Sequence, residues 1–190
     1  MPGTTIGFAL CGSFCTFEAA FGSAKALISD GYSLVPIFSG AAYSTDTRFG
    51  RAKDWVDLFE TLTGHKSICS MVEAEPIGPK ALFDLMLIAP CTGNTLSKLT
   101  YGVVDTSVTM GSKSHLRNGR PLLIAPSTND ALGNAAKNIG AMLNYKNIYF
   151  VPMKQDDPDK KPRSMIANFD LIPQAVALAL AGKQMQPIFG

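Results

Sequence analysis

The sequence LFDLMLIAPCTGNT, residues 82–95, passes directly from an apolar segment into a loop of small hydroxyl and amide side chains. An apolar run of this length, bounded by turn-forming residues, is typical of a buried strand. Similar runs recur along the chain with helical stretches between them, which predicts five parallel strands. Their ranges are Thr5 to Leu10, Ser33 to Phe38, Leu82 to Ala89, Pro121 to Ala125 and Ile148 to Met153.

Two intervening segments have the apolar spacing of amphipathic helices that pack on a core. The first set of core positions is Phe17, Phe21, Ala24 and Ile28, and the second is Trp55, Leu58, Phe59 and Leu62. Gly31 and Gly64 lie just past these segments, where a left-handed C-terminal cap favours a residue without a β-carbon. A closing helix that includes Ile172 to Leu180 is also expected.

Alternating strands and helices predict an α/β fold, a single-domain doubly wound parallel sheet, because parallel strands need right-handed crossovers. We expect a flavodoxin-like or Rossmann-like sheet of about five or six strands, in the order 2-1-3-4-5, with helices on both faces. A chain of 190 residues with 46% hydrophobic content buries one core, so residues 1–190 are interpreted as one domain. The charged, proline-containing stretch near residues 154–165 is predicted to be an exposed loop.

Charge and composition argue against several classes of function. The formal net charge is +2, and the 17 basic and 15 acidic residues are dispersed, so nucleic acid is not expected as a partner. Glu18 and Lys25 interrupt the first apolar region, so we expect no signal sequence, no membrane span and a cytoplasmic location. The cysteines form no CxxC pair, which argues against a metal site and favours reduced core or pocket thiols.

Small polar residues follow four of the predicted strands. Ligands of open parallel sheets bind beyond the carboxyl ends of the strands, and each loop is expected to open onto a helix N-terminus, which attracts anions. A phosphorylated ligand is therefore predicted, although helix capping and turn formation would also explain any single loop. The loops are Cys11-Gly12-Ser13, Ser39-Gly40, Pro90-Cys91-Thr92-Gly93-Asn94-Thr95 and Pro126-Ser127-Thr128-Asn129-Asp130.

Missing motifs narrow the identity of that ligand. Gly7 and Gly12 do not make GxGxxG, and Ser39 lies where dinucleotide folds have an acidic ribose partner, which disfavours NAD on this chain. No lysine precedes Ser13 as a P-loop requires, which disfavours ATP. A mononucleotide such as FMN, held by hydroxyl and amide groups, remains.

At residues 89–98, APCTGNTLSK, the chain resembles the flavoprotein family of phosphopantothenoylcysteine decarboxylases, lantibiotic cysteine decarboxylases and flavin prenyltransferases. This segment is similar to the flavin loop of that family. The resemblance extends to Gly12-Ser13, Ser39 and residues 125–129, APSTN, and covers most of the first 150 residues. It implies FMN as the cofactor, held by Gly12, Ser13, Phe14, Ser39, Thr92, Gly93, Asn94, Thr95 and Ser127.

Further segments are similar to one branch of this family, the B subunits of dipicolinate synthases. They are residues 44–50, 74–80, 127–133, 155–158, 161–165 and 186–188, so the likeness spans nearly the whole chain. It implies an oxidoreductase subunit in the mother cell of a sporulating bacterium. The implied reaction is the oxidation of a dihydrodipicolinate-type lysine-pathway intermediate to dipicolinate.

The same likeness implies the partners. An A subunit that resembles a nicotinamide-dependent dehydrogenase and carries NADP is implied, and this division fits a chain that has no dinucleotide fingerprint. The family forms trimers with flavin at subunit contacts, so a homo-oligomer that is a trimer or a multiple of a trimer is implied. The substrate is a small dicarboxylate, and its candidate ligands are Arg48, Lys98, Asn129 and Arg163, although each charged side chain is equally well explained as solvated surface.

One departure from the family bears on the mechanism. The cysteine decarboxylases of the family have a catalytic histidine shortly before strand three, and Pro76, or its neighbour Glu75, occupies that position here. Ser127 lies where the prenyltransferases carry an arginine. An FMN-dependent decarboxylase or prenyltransferase is therefore the least favoured alternative, and a noncatalytic assembly subunit of the same complex is the other. His65 is too far upstream to replace the histidine, so no catalytic residue is assigned.

Overall fold

The structure, a computed structural model, describes residues 3–190, and its seven described strands form one sheet. Five of them are parallel and lie in the order β2-β1-β3-β4-β5, which confirms the predicted order. The strands are β1 (Thr5–Leu10), β2 (Ser33–Phe38), β3 (Leu85–Cys91), β4 (Leu122–Thr128), β5 (Ile148–Phe150), β6 (Met153–Asp157) and β7 (Lys161–Ala167).

Helices cover both faces of the sheet, so the doubly wound α/β fold is confirmed. They are α1 (Phe17–Ser29), α2 (Gly40–Ser44), α3 (Ala52–Thr63), α4 (Met71–Ala74), α5 (Gly93–Tyr101), α6 (Ser107–Leu116), α7 (Ala136–Met142) and α8 (Ile172–Leu180). α1, α3 and α8 enclose one apolar cluster, and α4 to α7 contribute to a second cluster on the opposite face. The strands supply both clusters because successive side chains point to opposite faces.

The central strand β3 shows this division most clearly. All seven of its residues are buried, with Leu85 and Leu87 in the cluster beneath α1 and α8. Met86, Ile88 and Cys91 belong to the opposite cluster. A strand covered on both faces reads in the sequence as one continuous apolar run, which is why residues 82–95 identified it.

The stretch near residues 154–165 is largely exposed, as predicted, but it is not a loop, because it forms the antiparallel hairpin of β6 and β7. Met153 and Met165 are buried, whereas most of the charged side chains between them are exposed. The hairpin covers the core with few apolar residues, so its strands lack the apolar runs that identified the others. Pro162 lies beside an irregularity in the pairing between Gln155 and Asp157, where proline is tolerated in a sheet.

The helix predictions hold with one exception. Gly64 caps α3 in the left-handed conformation with φ of 71°, and Gly31 follows α1 with φ of 91°. α8 covers Ile172–Leu180 as expected. Leu58 was predicted to be a core residue, but it is 45% exposed, because the buried face of α3 is narrower than the apolar pattern suggests.

We expect Phe59→Ala to lower the free energy of unfolding by about 3–5 kcal/mol, because it removes a buried ring and leaves a cavity. The Phe59 ring packs against three other rings, with centroid distances of 5.6 Å to Phe8, 5.2 Å to Phe21 and 5.8 Å to Phe38. Urea unfolding followed by tryptophan fluorescence measures the change. The neighbouring Leu58→Ala should cost about 1 kcal/mol or less, and equal losses would contradict this assignment of the core.

His115 provides a pH-dependent test of the opposite face. Its ring is 1% exposed, and Nε2 lies 3.0 Å from the carbonyl oxygen of Pro121, to which a neutral ring donates. Burial lowers the pKa of His115, and the charge of Arg120 acts in the same direction. The folded protein therefore resists protonation of this ring, whereas unfolding returns it to the ordinary histidine pKa of about 6.5.

The free energy of unfolding should consequently fall as the pH decreases from about 7 to about 5.5, because the unfolded chain binds a proton that the folded chain excludes. The contribution of His115 to stability is complete at pH values above the pKa of the unfolded chain. It is lost as the pH falls toward the lower pKa of His115 in the folded protein. Urea unfolding at a series of pH values measures it. His115→Gln should reduce the pH dependence in this window, while His65→Gln, at an exposed position, should retain it. Identical pH profiles for wild type and His115→Gln would contradict the assignment.

Candidate functional site

A cavity of about 680 Å³ lies at the carboxyl ends of β1, β3 and β4 and is called the main cavity below. This edge is where doubly wound sheets bind ligands, and the volume is within the usual range for small-molecule sites. The β6–β7 hairpin forms one wall. The lining residues are Gly12, Ser13, Phe14, Cys15, Thr16, Arg48, Phe49, Thr92, Ser127, Thr128, Asn129, Asp130, Asp156, Lys161, Ser164, Met165 and Ile166.

The first and fourth strand-end loops meet in this cavity. Ser13 Oγ lies 2.8 Å from Ser127 Oγ, so the two hydroxyls form a hydrogen bond across the end of β3. The Ser13 backbone N–H donates to the Cys11 carbonyl at 2.7 Å, and the Thr16 hydroxyl donates to the Ser13 carbonyl at 2.8 Å. The Gly12-Ser13 turn is thus fixed by the chain itself, and its serine hydroxyl is held beside a second one.

The third loop contributes one residue to the main cavity. Thr92 lines it and also caps α5, accepting the Thr95 N–H at 3.2 Å. Thr95 is buried below, with its hydroxyl 3.1 Å from Thr92 Oγ1 and donating to Cys11 Sγ at 3.2 Å. Thr95 therefore supports the cavity without being among its lining residues.

The structure places Gly93 and Asn94 outside the main cavity, although the family resemblance implies that both hold the cofactor. A β-carbon on Gly93 would lie 2.7 Å from Thr128 Oγ1 and 2.8 Å from Asp130 Oδ1, so these side chains cover the start of α5. Asn94 is exposed and lines a separate cavity of about 260 Å³ beside Asn138. The screening by Thr128 and Asp130 depends on tertiary packing that the sequence does not reveal.

Ser39 has a capping role in this structure. It is buried and accepts the Ala42 N–H at 3.3 Å, which caps the short helix α2. Its backbone N–H donates to the Leu10 carbonyl at 3.0 Å. Ser39 does not line the main cavity, so helix capping accounts for this second loop in the single chain.

The prediction that the fourth loop opens onto a helix N-terminus is wrong. β4 continues through Thr128 because its last two residues pair with β7, Ser127 opposite Ile166 and Thr128 opposite Met165. The next helix, α7, begins at Ala136, well beyond the loop. This loop therefore offers hydroxyl groups to a ligand rather than a helix dipole.

The charged side chains of the main cavity differ in whether they have a partner. Lys161 Nζ lies 2.6 Å from Asp156 Oδ2, and the Thr128 hydroxyl donates to Asp130 Oδ1 at 2.6 Å. The Arg48 guanidinium lies 4.8 Å from the centroid of the Phe49 ring. Among residues 3–190, Arg48 has no carboxylate within salt-bridge distance, so its charge is available to an anionic ligand.

The four predicted substrate ligands are not brought together. Arg48 and Asn129 line the main cavity, whereas Lys98 pairs with Asp105 at 2.7 Å and lines an apolar cavity elsewhere. Arg163 does not line the main cavity and lies with Asn129 at a separate surface depression. The structure therefore favours Arg48 and Asn129 over Lys98 and Arg163 as candidate ligands in the main cavity.

Sequence reasoning missed the wall formed by the hairpin. Asp156, Lys161, Ser164 and Met165 line the main cavity but were treated as parts of a solvent-exposed loop, and Ile166 beside them was given no role. The short apolar run at residues 165–167, MIA, was the available signal for a strand. This run is only three residues long, because β7 pairs with β4 through just two residue pairs, and so short an apolar run is a weak signal for a strand.

Within residues 3–190, no three His, Cys, Asp or Glu side chains lie close enough to hold a metal ion together. Over the same range, no helix has the length and apolar character needed to cross a membrane.

Comparisons with known proteins agree with the resemblance seen in the sequence. A family model described as Flavoprotein matches residues 1–167. The chain is 47% identical over 188 residues to the B subunit of dipicolinate synthase from Bacillus subtilis (strain 168), which covers 99% of this chain and 94% of that protein. It also resembles the crystal structure of the B subunit of dipicolinate synthase from Bacillus halodurans C, with a TM-score of 0.91 and 40% identity, over 100% of this chain and 97% of that one.

A more distant solved structure supports the fold alone. The FMN-dependent cysteine decarboxylase SpaF aligns with a TM-score of 0.63 and 20% identity, over 93% of this chain and 97% of that one. The shared architecture agrees with a doubly wound sheet whose strand ends form a ligand cavity.

Proposed function

The chain belongs to the Flavoprotein family, and on that premise we propose that its main cavity binds FMN as part of a two-subunit dipicolinate synthase. The observation that carries this proposal is the hydroxyl pair of Ser13 and Ser127, 2.8 Å apart beside the Gly12 turn. Two hydroxyls and a glycine turn at the carboxyl edge of the sheet suit an anionic mononucleotide phosphate. Nothing in this proposal requires a metal ion.

The residues around the main cavity have the chemistry that FMN needs. Ser13, Ser127 and the backbone of Gly12 would bind the phosphate, and Thr92 would hydrogen-bond the polar part of the flavin. Phe14 borders the same space and offers an aromatic surface. When bound, FMN supplies hydride transfer, while the protein supplies binding and orientation.

Arg48 and Asn129 are proposed to bind the small dicarboxylate substrate. Arg48 can pair with a carboxylate in a bidentate manner, and Asn129 adds an amide to the same lining. The ion pair of Lys161 and Asp156 leaves Arg48 as the cation without an acidic partner in the described cavity. A dianionic substrate is therefore attracted to the Arg48 side of the main cavity.

The wider role follows the relatives that are B subunits. The protein would act in the mother-cell cytoplasm during sporulation, with an A-type subunit that binds NADP, and as a homo-oligomer that is a trimer or a multiple of a trimer. This division suits a chain in which Gly7 and Gly12 do not form a dinucleotide-binding motif. The reaction is the oxidation of a dihydrodipicolinate-type intermediate to dipicolinate.

A decarboxylase role has less support. Pro76 lies in the short 3-10 helix Glu75–Ile77, and neither it nor Glu75 lines the main cavity of the single chain. Proline has no side-chain proton to transfer, so it does not replace a catalytic histidine. A noncatalytic assembly role in the same complex is the alternative that the following measurements distinguish.

Ser13→Ala and Ser127→Ala should each raise the Kd for FMN by roughly fivefold to thirtyfold, because each removes a hydrogen bond worth about 1–2 kcal/mol. Riboflavin, which lacks the phosphate, should lose less affinity in the same variants. Quenching of flavin fluorescence during titration with protein measures both constants. Ser44→Ala is the matched control, because Ser44 is exposed on α2 and outside the main cavity. An unchanged FMN affinity in both folded variants would remove the serine pair from the site.

Reconstitution with a candidate A subunit, NADP and a lysine-pathway dihydrodipicolinate precursor should yield dipicolinate only when this chain is present. The product is measured by its ultraviolet absorbance after separation. The double variant Ser13→Ala/Ser127→Ala should lose most of the rate while still binding the A subunit, since assembly does not require the FMN site. Full activity with the double variant would favour the assembly role, and full activity without this chain would reject the proposal altogether.

A further inference from the structure

Cys11 directly follows β1 and Cys91 is the last residue of the neighbouring strand β3. The Cys11 N–H donates to the Pro90 carbonyl at 3.1 Å, and this bond in a parallel pair places Cys11 beside Cys91. Neighbouring strands lie about 4.7–4.9 Å apart, within the roughly 4.4–6.8 Å between Cα atoms that a disulfide spans. Both thiols are buried in the same apolar cluster, with exposures of 1% and 0%. Their positions therefore suit a covalent link.

The two thiols differ in acidity in a way that suits stepwise oxidation. The neighbouring Cys91 thiol lowers the pKa of Cys11 most, and the Thr95 hydroxyl, the Thr92 N–H and the Lys98 charge act in the same direction, against the effect of burial. Burial raises the pKa of Cys91, and Cys11 raises it further. Cys11 is therefore the thiol of the pair that loses its proton more readily.

We propose that Cys11 and Cys91 are a dithiol that hydrogen peroxide oxidises reversibly to a disulfide beneath the main cavity. The Cys11 thiolate attacks one peroxide oxygen, the O–O bond breaks, and the departing hydroxide takes a proton to become water. The Cys91 sulfur then attacks the Cys11 sulfenic acid, the S–O bond breaks, and a second water leaves with the Cys91 proton. Two thiols supply two electrons, which reduce one peroxide to two waters.

The pair lies next to the lining of the main cavity in the chain. Gly12 and Thr92, which follow the two cysteines in the chain, both line the main cavity. The disulfide would change the Cys11 sulfur that accepts the Thr95 hydroxyl, and Thr95 in turn contacts Thr92. Oxidation would thus change the support of one cavity wall without any residue of the pair being exposed.

The remaining cysteines allow a specific test. Cys15 is exposed, unlike the buried pair. The thiol of Cys69 is a poor nucleophile, because burial and the charges of Glu73 and Glu60 raise its pKa to about 11. The variant Cys15→Ser/Cys69→Ser keeps Cys11 and Cys91 as its only thiols.

The reduced double variant is treated with stoichiometric hydrogen peroxide, and free thiols are counted after denaturation. Both thiols should disappear, a linked peptide should join Cys11 to Cys91 with two hydrogen atoms fewer, and dithiothreitol should restore both. Adding Cys91→Ser should instead leave a Cys11 sulfenic acid that dimedone captures. Mapping of linked peptides in the wild-type chain provides the same readout without any substitution.

The proposal is overturned if both thiols persist in the folded protein, or if they are oxidised separately to sulfinic acids with no linked peptide. A disulfide that joins Cys11 to Cys15 in the wild-type chain would overturn it as well. None of these readouts requires bound FMN or an A subunit, so they are independent of the proposed function.

Discussion

Burial of β3 on both faces is the constraint on which the rest of the molecule depends. A strand with all seven residues buried must be flanked by other strands and covered by helices on each side, because its polar backbone has no access to water. β1 and β4 supply the flanking ladders, and the two apolar clusters cover the faces. The strand ends of β1, β3 and β4 are thereby brought to one edge, where the main cavity lies.

The parts of this fold that the sequence predicts are those that depend on continuous apolar runs and regular helical spacing. Five strands, their order and the closing helix α8 fall in this class. The β6–β7 hairpin does not, because it lies at the edge and needs only a few buried residues, such as Met165, among charged ones. Leu58 illustrates the same limit for helices, since an apolar residue beside the buried face of α3 has the right spacing but remains 45% exposed.

The candidate site is predictable to a similar extent. Gly12, Ser13 and Thr92 were identified by their positions after strands, and the parallel register brings them to one cavity. The role of Asp130 was not predictable, since it depends on the folding of the fourth loop back over the start of α5. Ser39 and Thr95 illustrate another limit, because a polar side chain after a strand can hydrogen-bond the backbone or a neighbouring side chain instead of a ligand. Ser39 accepts the Ala42 N–H, and Thr95 donates to Cys11 Sγ.

The position of Asp130 also bears on how an anionic ligand would lie in the cavity. The Asp130 carboxylate would lie 2.8 Å from a β-carbon placed on Gly93, so it already brings a negative charge to the positive end of α5. A phosphate there would meet like charge, so the start of α5 is a poor place for it in this chain. The Ser13–Ser127 pair has no such carboxylate bonded to it, and Arg48 supplies a positive charge to the same cavity. On these electrostatic grounds, the phosphate of the proposed FMN is expected at the first loop, and the Thr92 side of the cavity is expected to take an uncharged part of the ligand.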